Sequence, residues 1–354
     1  MSDTSTPVTI PFNNPLQGRR VSLIGGAGFI GHHLALELSR LGAEVQVVDG
    51  LQVNNLIHIA SQTDLPNREL YLMMLHERLN VLTQANIDLQ TVDARDYLKL
   101  FYTLDAFKPQ VVVQLAAVAH ANRSNKDPYT TFDHSLRTLE NALDYSRNSV
   151  EHFVYFSSSM VYGNFQTKEI DEDHPLNPIG IYGALKLSGE KIVIAYQQVF
   201  DLPYTIIRPS ALYGPRCVSR RVSQIFLENA LFGRPLRIDG DGKESIDFTY
   251  VDDLVNGICS AIGRPESRNE TFNLTCGNAR TIHELLDVVQ AHCPDVAVEY
   301  EERDKLRPFR GTLSIQKARD VLGYQPENQL EQGIPKCLDW YRGHGLDARK
   351  AAVA

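Results

Sequence analysis

Arg20-Val21-Ser22-Leu23-Ile24 runs straight into Gly25-Gly26-Ala27-Gly28-Phe29-Ile30-Gly31, and this stretch decides the fold. A short apolar run cut off by glycine reads as a buried strand. From Phe29 to Leu41 apolar residues recur at helical spacing (Ile30, Leu34, Leu38, Leu41), and Gly42 closes the helix. Glu44 to Val48 reads as a second strand. Strand, helix and strand in that order predict a parallel pair joined by a crossover helix. The three glycines then have separate tasks. Gly25 permits the tight turn, Gly28 lets backbone N–H groups approach a pyrophosphate, and Gly31 allows close helix–strand packing, with Phe29 and Ile30 opening the helix. Asp49 ends the second strand, where a carboxylate accepts hydrogen bonds from ribose hydroxyls and repels a 2′-phosphate. The expected cofactor is NAD rather than NADP.

The pattern repeats outward. Further strands are expected from Ile87 to Val92, Val111 to Leu115, His152 to Phe156 and Tyr204 to Ile207. Helices are expected near Tyr97 to Phe107, Thr131 to Ser146 and Ile181 to Val199. Such alternation predicts an α/β fold: a Rossmann-type doubly wound parallel sheet. After Gly214 the alternation weakens, which suggests a smaller mixed α/β C-terminal substrate lobe. The expected division is a flexible N-terminal arm at 1–18, a dinucleotide domain at 19–208 and the lobe at 209–346, with some chain shared. Asp93 ends the third strand, placed either to reach the adenine amino group or to cap a helix beside Asp96. Ala116 and Ala117 end the fourth, small enough for a ligand to lie against the backbone. The long connection between Gly50 and Ile87 reads as a surface elaboration in preference to a lid or dimer contact.

Composition sets the outer limits. The chain has 354 residues, 43% hydrophobic and 22% charged, which excludes disorder, collagen and coiled coil as the main architecture. Lys and Arg number 35 against 43 Asp and Glu, a net charge of −8, so neither nucleic acid nor an anionic membrane is an expected partner. The five cysteines, Cys217, Cys259, Cys276, Cys293 and Cys337, are widely spaced without Cys-x-x-Cys. That points to reduced thiols and no metal site. No signal sequence or membrane-length apolar run occurs, so a soluble, cytoplasmic protein is expected.

A second constellation joins Ser157-Ser158-Ser159 to Tyr182-Gly183-Ala184-Leu185-Lys186. Tyr182 and Lys186 share a helix face at i and i+4. A neighbouring ammonium favours phenolate because positive charge stabilises the anion. Such a tyrosine can take a proton from an alcohol while a serine hydroxyl polarises it.

These residues occur in order with Val161-Tyr162-Gly163, Arg208-Pro209-Ser210-Ala211-Leu212-Tyr213-Gly214-Pro215 and Asp247-Phe248-Thr249-Tyr250-Val251-Asp252-Asp253. From Arg20 to Arg342 the chain resembles the extended short-chain dehydrogenase/reductases, specifically the NAD-dependent nucleotide-sugar epimerases and dehydratases. The resemblance implies a retained NAD, a nucleoside-diphosphate sugar substrate and a homodimer. It implies that Ser158, Tyr182 and Lys186 are catalytic, with Lys186 also holding the nicotinamide ribose, and that Ser124 and Ser159 contact the sugar. Arginine suits a diphosphate, and Arg216, Arg220, Arg221 and Arg303 are the available cations, Arg221 and Arg303 matching best by spacing.

Ser159-Met160 stand where the 4,6-dehydratases resemble Asp-Glu, the acid and base of water elimination; decarboxylases of the family tend to keep the Glu. Neither a hydroxyl nor a thioether does that work readily at neutral pH. The first cysteine is Cys217, against the cysteine-using 3,5-epimerases. The expectation is therefore a 4-epimerase: C4 oxidation, rotation of the 4-keto sugar and re-reduction. A dehydratase, a net NAD(H)-dependent oxidoreductase and a non-catalytic dinucleotide-binding regulator are the alternatives. Ala211, Ile246 and Ser135 depart from the asparagine, arginine and asparagine common at those places, which points to an atypical substrate.

Overall fold

The computed structural model describes residues 14–346 apart from positions 54, 120 and 305. Strands β1 (Arg20–Ile24), β2 (Glu44–Val48), β3 (Asp88–Gln90), β4 (Val111–Gln114), β5 (His152–Phe156), β6 (Tyr204–Arg208) and β7 (Glu270–Asn273) form one sheet. Its order is β7-β6-β5-β4-β1-β2-β3, and every pairing is parallel. Val21 sits opposite Val45 on one side and Val111 on the other. A sheet covered on both faces needs continuous apolar strands rather than alternating ones. Val111, Val112 and Val113 are accordingly all fully buried. The strand order reverses between β1 and β4, and the carboxyl ends of the strands open a crevice there.

Helices α1 (Phe29–Arg40), α2 (Arg68–Gln84), α3 (Tyr97–Phe107), α4 (Gly180–Phe200), α5 (Val222–Leu231) and α6 (Val251–Gly263) matter most for the site. Leu34 and Leu38 of α1 share a core with Leu254 and Ile258 of α6. Thus α6 and β7, both after residue 209, return to the first layer. Conversely, Glu169–Ile170 pairs with Thr312–Leu313. The lobe itself holds a parallel pair, Leu236–Asp239 with Val298–Glu301, and an antiparallel pair, Ser245–Ile246 with Arg280–Thr281.

Two expectations need correction. Of the supposed flexible arm, residues 1–13 lie outside the described residues, but 14–18 form a packed turn. Leu16 is buried in the core, and Gly18 N–H donates to Gly42 O at 2.8 Å. Nor is the long connection a surface elaboration. Its helix α2 buries Leu70, Tyr71, Met74, Leu75 and Leu82. The Tyr71 hydroxyl donates to Glu228 Oε2 of α5 at 2.7 Å. Burying each such leucine contributes about 1.5–3 kcal/mol, so α2 joins the dinucleotide layer to the lobe.

Candidate active site

The crevice is a cavity of about 640 Å³ running from the glycine loop to a group of arginines in the lobe. Gly25 has φ +83°, and a Cβ there would lie 2.6 Å from Ala116 N; only glycine fits so close to the β4 end. Gly28, Phe29, Ile30 and Gly31 line the cavity beside it, as do Ala116 and Ala117. No side chain caps the start of α1 at Gly28, so its first N–H groups can receive an anion. A Cβ on Gly28 would touch only Gly25 O, at 3.1 Å, and otherwise stand in open space. This is a cradle that a side chain would fill.

Asp49 lines the same end. One carboxylate oxygen accepts from Ala27 N at 3.0 Å and the other from Leu51 N at 2.7 Å. Burial pushes its carboxyl up, against the pull of these two amides. The carboxylate is therefore locked across the loop with lone pairs left for ribose hydroxyls. Asp93 also lines the cavity; the helix cap is Asp96, which accepts from Lys99 N. Burial raises the Asp93 carboxyl, but hydrogen bonds from Arg95 and Gln52 outweigh it and hold it at about 2.

The groups expected to be catalytic converge where β5 ends. Ser158 follows the strand, and its Oγ accepts from Met160 N at 3.2 Å, capping the short turn Ser159–Val161. Its proton stays free to donate into the cavity. Tyr182 lies on the first turn of α4 and Lys186 one turn later. Ser158, Ser159, Tyr182 and Lys186 all line the cavity. Lys186 Nζ donates to Phe156 O at 2.6 Å. Burial pulls its ammonium down to about 8, opposed by Glu190 one further turn along. Gly180, at φ +78°, starts α4, and Asn125 Oδ1 accepts from Ile181 N at 3.0 Å, so the segment after β4 sets where Tyr182 begins. Beneath the site Glu190 pairs with Arg208 at 2.8 Å and accepts from the Ser157 hydroxyl.

Ser124 is not at the cavity surface. It is fully buried, and its neighbours Asn122 and Asn125 line the cavity instead.

The arginine end differs more. Arg221 lines the cavity, with Arg220 beside it. Arg216 does not: its backbone is left-handed at φ +59°, Nε meets His32 Nε2 at 2.9 Å and Nη1 pairs with Glu77 at 3.1 Å. Arg303 lies over the Phe309 ring at 4.1 Å and donates to Arg307 O, so it too stands back from the lining. Arg307 and Arg310 take that place. Arg307 is paired with Asp239. Burial lowers Arg310; Glu244 opposes this, while Arg221, Arg307 and Arg303 reinforce it. Crowded guanidinium groups of this kind form an anion site. The second charge in Arg307-Pro-Phe-Arg310 was the available signal. Ile246 and Ala211 line the cavity as well, leaving apolar surface where an arginine and an asparagine were expected.

Among the described residues no group of three His, Cys, Asp or Glu could hold a metal. All five cysteines are free thiols, and among the described residues no helix is long and apolar enough to cross a membrane.

A parallel sheet with a glycine loop at its switch point, and a Ser-Tyr-Lys group at the same crevice, defines a dinucleotide-dependent enzyme. The family model described as "NAD dependent epimerase/dehydratase family" matches residues 21–275, and the chain belongs to that family. It is 32% identical to the UDP-glucose 4-epimerase of Mycolicibacterium smegmatis over 333 residues, covering 91% of this chain and 98% of that one. It is 28% identical to a dTDP-glucose 4,6-dehydratase of Xanthomonas campestris pv. campestris, covering 90% and 91%. The solved UDP-glucose 4-epimerase of Thermotoga maritima, determined with UDP-glucose, superposes with a TM-score of 0.81 at 27% identity, covering 92% of this chain and 99% of that one. NAD is the cofactor, and the glycine loop, Asp49 and the uncapped start of α1 fit it.

Proposed function

We propose that the protein is a nucleotide-sugar 4-epimerase. The observation that carries this reading is the wall beside Tyr182: Ser159 and Met160 stand there, and neither serves as acid or base for elimination. Most carboxylates lining the cavity are engaged: Asp49 holds Ala27 and Leu51, Asp93 holds Arg95, Asp239 pairs with Arg307, and Asp304 accepts from Leu306 N. Glu244 makes no hydrogen bond through Oε1 and stands among the arginines, 4.0 Å from Arg303 and acting on Arg310. Proton transfer at the sugar falls to Tyr182.

Bound NAD supplies reversible hydride acceptance and donation at C4. Tyr182 takes the C4 hydroxyl proton and later returns it. Ser158 donates a hydrogen bond to the same oxygen, and Lys186 holds a buried positive charge in the same cavity wall. Asp49 and the first turn of α1 hold the cofactor. Arg221, Arg307 and Arg310 hold the diphosphate, which lets a 4-keto sugar turn about a fixed anchor before reduction on its other face. The apolar Ile246 and Ala211, at places where the family commonly carries arginine and asparagine, support an atypical nucleotide-sugar substrate. Exposed Leu98 and Tyr102 on α3 and Val199 and Phe200 on α4 support a homodimer, which light scattering tests. Five free thiols agree with a reducing, cytoplasmic setting.

Incubation with a panel of UDP-, dTDP-, GDP- and CDP-sugars, read by mass and proton NMR, tests the reaction. Unchanged mass with inverted C4 is expected. Loss of one water would make the enzyme a dehydratase, and steady formation or loss of NADH absorbance would make it a net oxidoreductase.

A further inference from the structure

Arg78 is the largest fully buried side chain of the molecule's described residues, 1% exposed, and it lines the cavity with Gly28, Phe29 and Asp49. It comes from α2, in the long connection, not from any strand end. Its Nε and Nη2 donate to the carbonyl of Arg216 at the start of the lobe. No carboxylate lies within ion-pair distance of it among the described residues. The groups facing it do not cancel its charge. Asp49 attracts it but is occupied by two backbone amides. Arg216 repels it, and Glu77 is spent on Arg216. His32 and His33 are driven neutral, first by burial and then by their charged neighbours. Burial draws the Arg78 guanidinium down to about 10, with Cys217 and Asp49 opposing, so it remains a cation at neutral pH.

A buried cation without a counter-ion is unfavourable unless an anion arrives. The uncapped N–H groups of α1 face the same space and call for the same charge. We propose that Arg78 is a cofactor-anchoring residue whose guanidinium pairs with the pyrophosphate of the bound dinucleotide, opposite the glycine loop. The connection that carries it is then part of the cofactor site. Because the same guanidinium holds Arg216 O, cofactor binding and the seating of the lobe share one residue. This inference concerns NAD alone and stands whatever reaction the enzyme performs.

Competition on the holoenzyme tests it. The protein is loaded with fluorescent etheno-NAD, and ADP and adenosine are titrated as displacing ligands. Adenosine lacks the pyrophosphate and serves as the internal control for folding and for the adenosine pocket. Arg78→Met is expected to weaken ADP by about 10–100-fold, the range for a lost charged hydrogen bond, while adenosine changes by less than about threefold. Equal losses for both ligands, or no loss for either, overturn the proposal. If the variant fails to fold, a structure of the wild-type holoenzyme decides. A guanidinium nitrogen within hydrogen-bond distance of a pyrophosphate oxygen supports it, and a guanidinium touching protein alone overturns it.

Discussion

The two ends of the cavity are built differently. At the glycine end the ligand-facing positions are main-chain features: a turn with φ +83° at Gly25, an uncapped helix start at Gly28, and Asp49 tied to two backbone amides. Each is fixed by a strand that cannot slip, because a parallel sheet with both faces buried sets its register. At the arginine end the positions depend on long side chains leaving loops. Arg216 and Arg303 took partners away from the cavity, Arg307 took Asp239, and Arg310 is left with its Nε unpaired in the lining. The glycine end is thus specified largely by backbone, and the arginine end by local competition for charge.

The sharpest test of that contrast lies at Tyr182. Tyr182→Phe keeps the ring on α4 and removes only the hydroxyl. Turnover is expected to fall about 10²–10⁴-fold, the range for loss of a general acid–base group. Bound NAD, measured by acid extraction and absorbance, is expected to stay at the wild-type level. Turnover near wild type would break the assignment and move the proton transfer to another group.

The arginine end should respond less, and unevenly. Arg310→Ala is expected to raise KM for the nucleotide sugar about 10–100-fold, from lost charged hydrogen bonds, with NAD content unchanged. Arg303→Ala should change KM by about twofold or less, as for a substitution away from the ligand. Steady-state kinetics on both variants decides between them. The reverse order would mean that the loop rearranges around substrate and that the expectation for Arg303 was the better one.

The same contrast explains what could be read from residues alone. Gly25, Gly28, Gly31, Asp49, Ser158, Tyr182 and Lys186 are legible because each lies at a fixed offset from a strand end or a helix start, and the structure gathers all of them in one cavity. The direction of the Arg216 side chain depends on a left-handed backbone and on His32, nearly two hundred residues away in the chain, which no spacing encodes. Ser124 was misplaced by a single helical step, since Asn125 beside it faces the cavity. The α2 helix was underestimated although a signal existed. Tyr71, Met74, Leu75, Arg78 and Leu82 follow one helical stripe. An arginine on such a stripe marks a buried charge and hence a partner to be found.

Near neutrality the effect of pH is expected to be slight, and its sign is fixed by Lys186. Burial brings this ammonium to about 8, so it is charged below pH 8 and neutral above. If that charge supports turnover, kcat/KM should be level near neutrality, fall about twofold by pH 8, and fall about tenfold by pH 9, as the protonated fraction of Lys186 does. Unfolding would not produce this limb. The folded-state value lies below the unfolded one of about 10.4, so the cost of burying the cation is greatest below pH 8 and eases as pH rises between the two values. For this group, alkaline pH stabilises the fold while it removes the catalytic charge. Parallel pH series of kcat/KM and of thermal midpoint separate the two, and Lys186→Met should lower the plateau and abolish the limb. A limb that persists in Lys186→Met would assign it to another group and return Lys186 to a structural tie on Phe156 O.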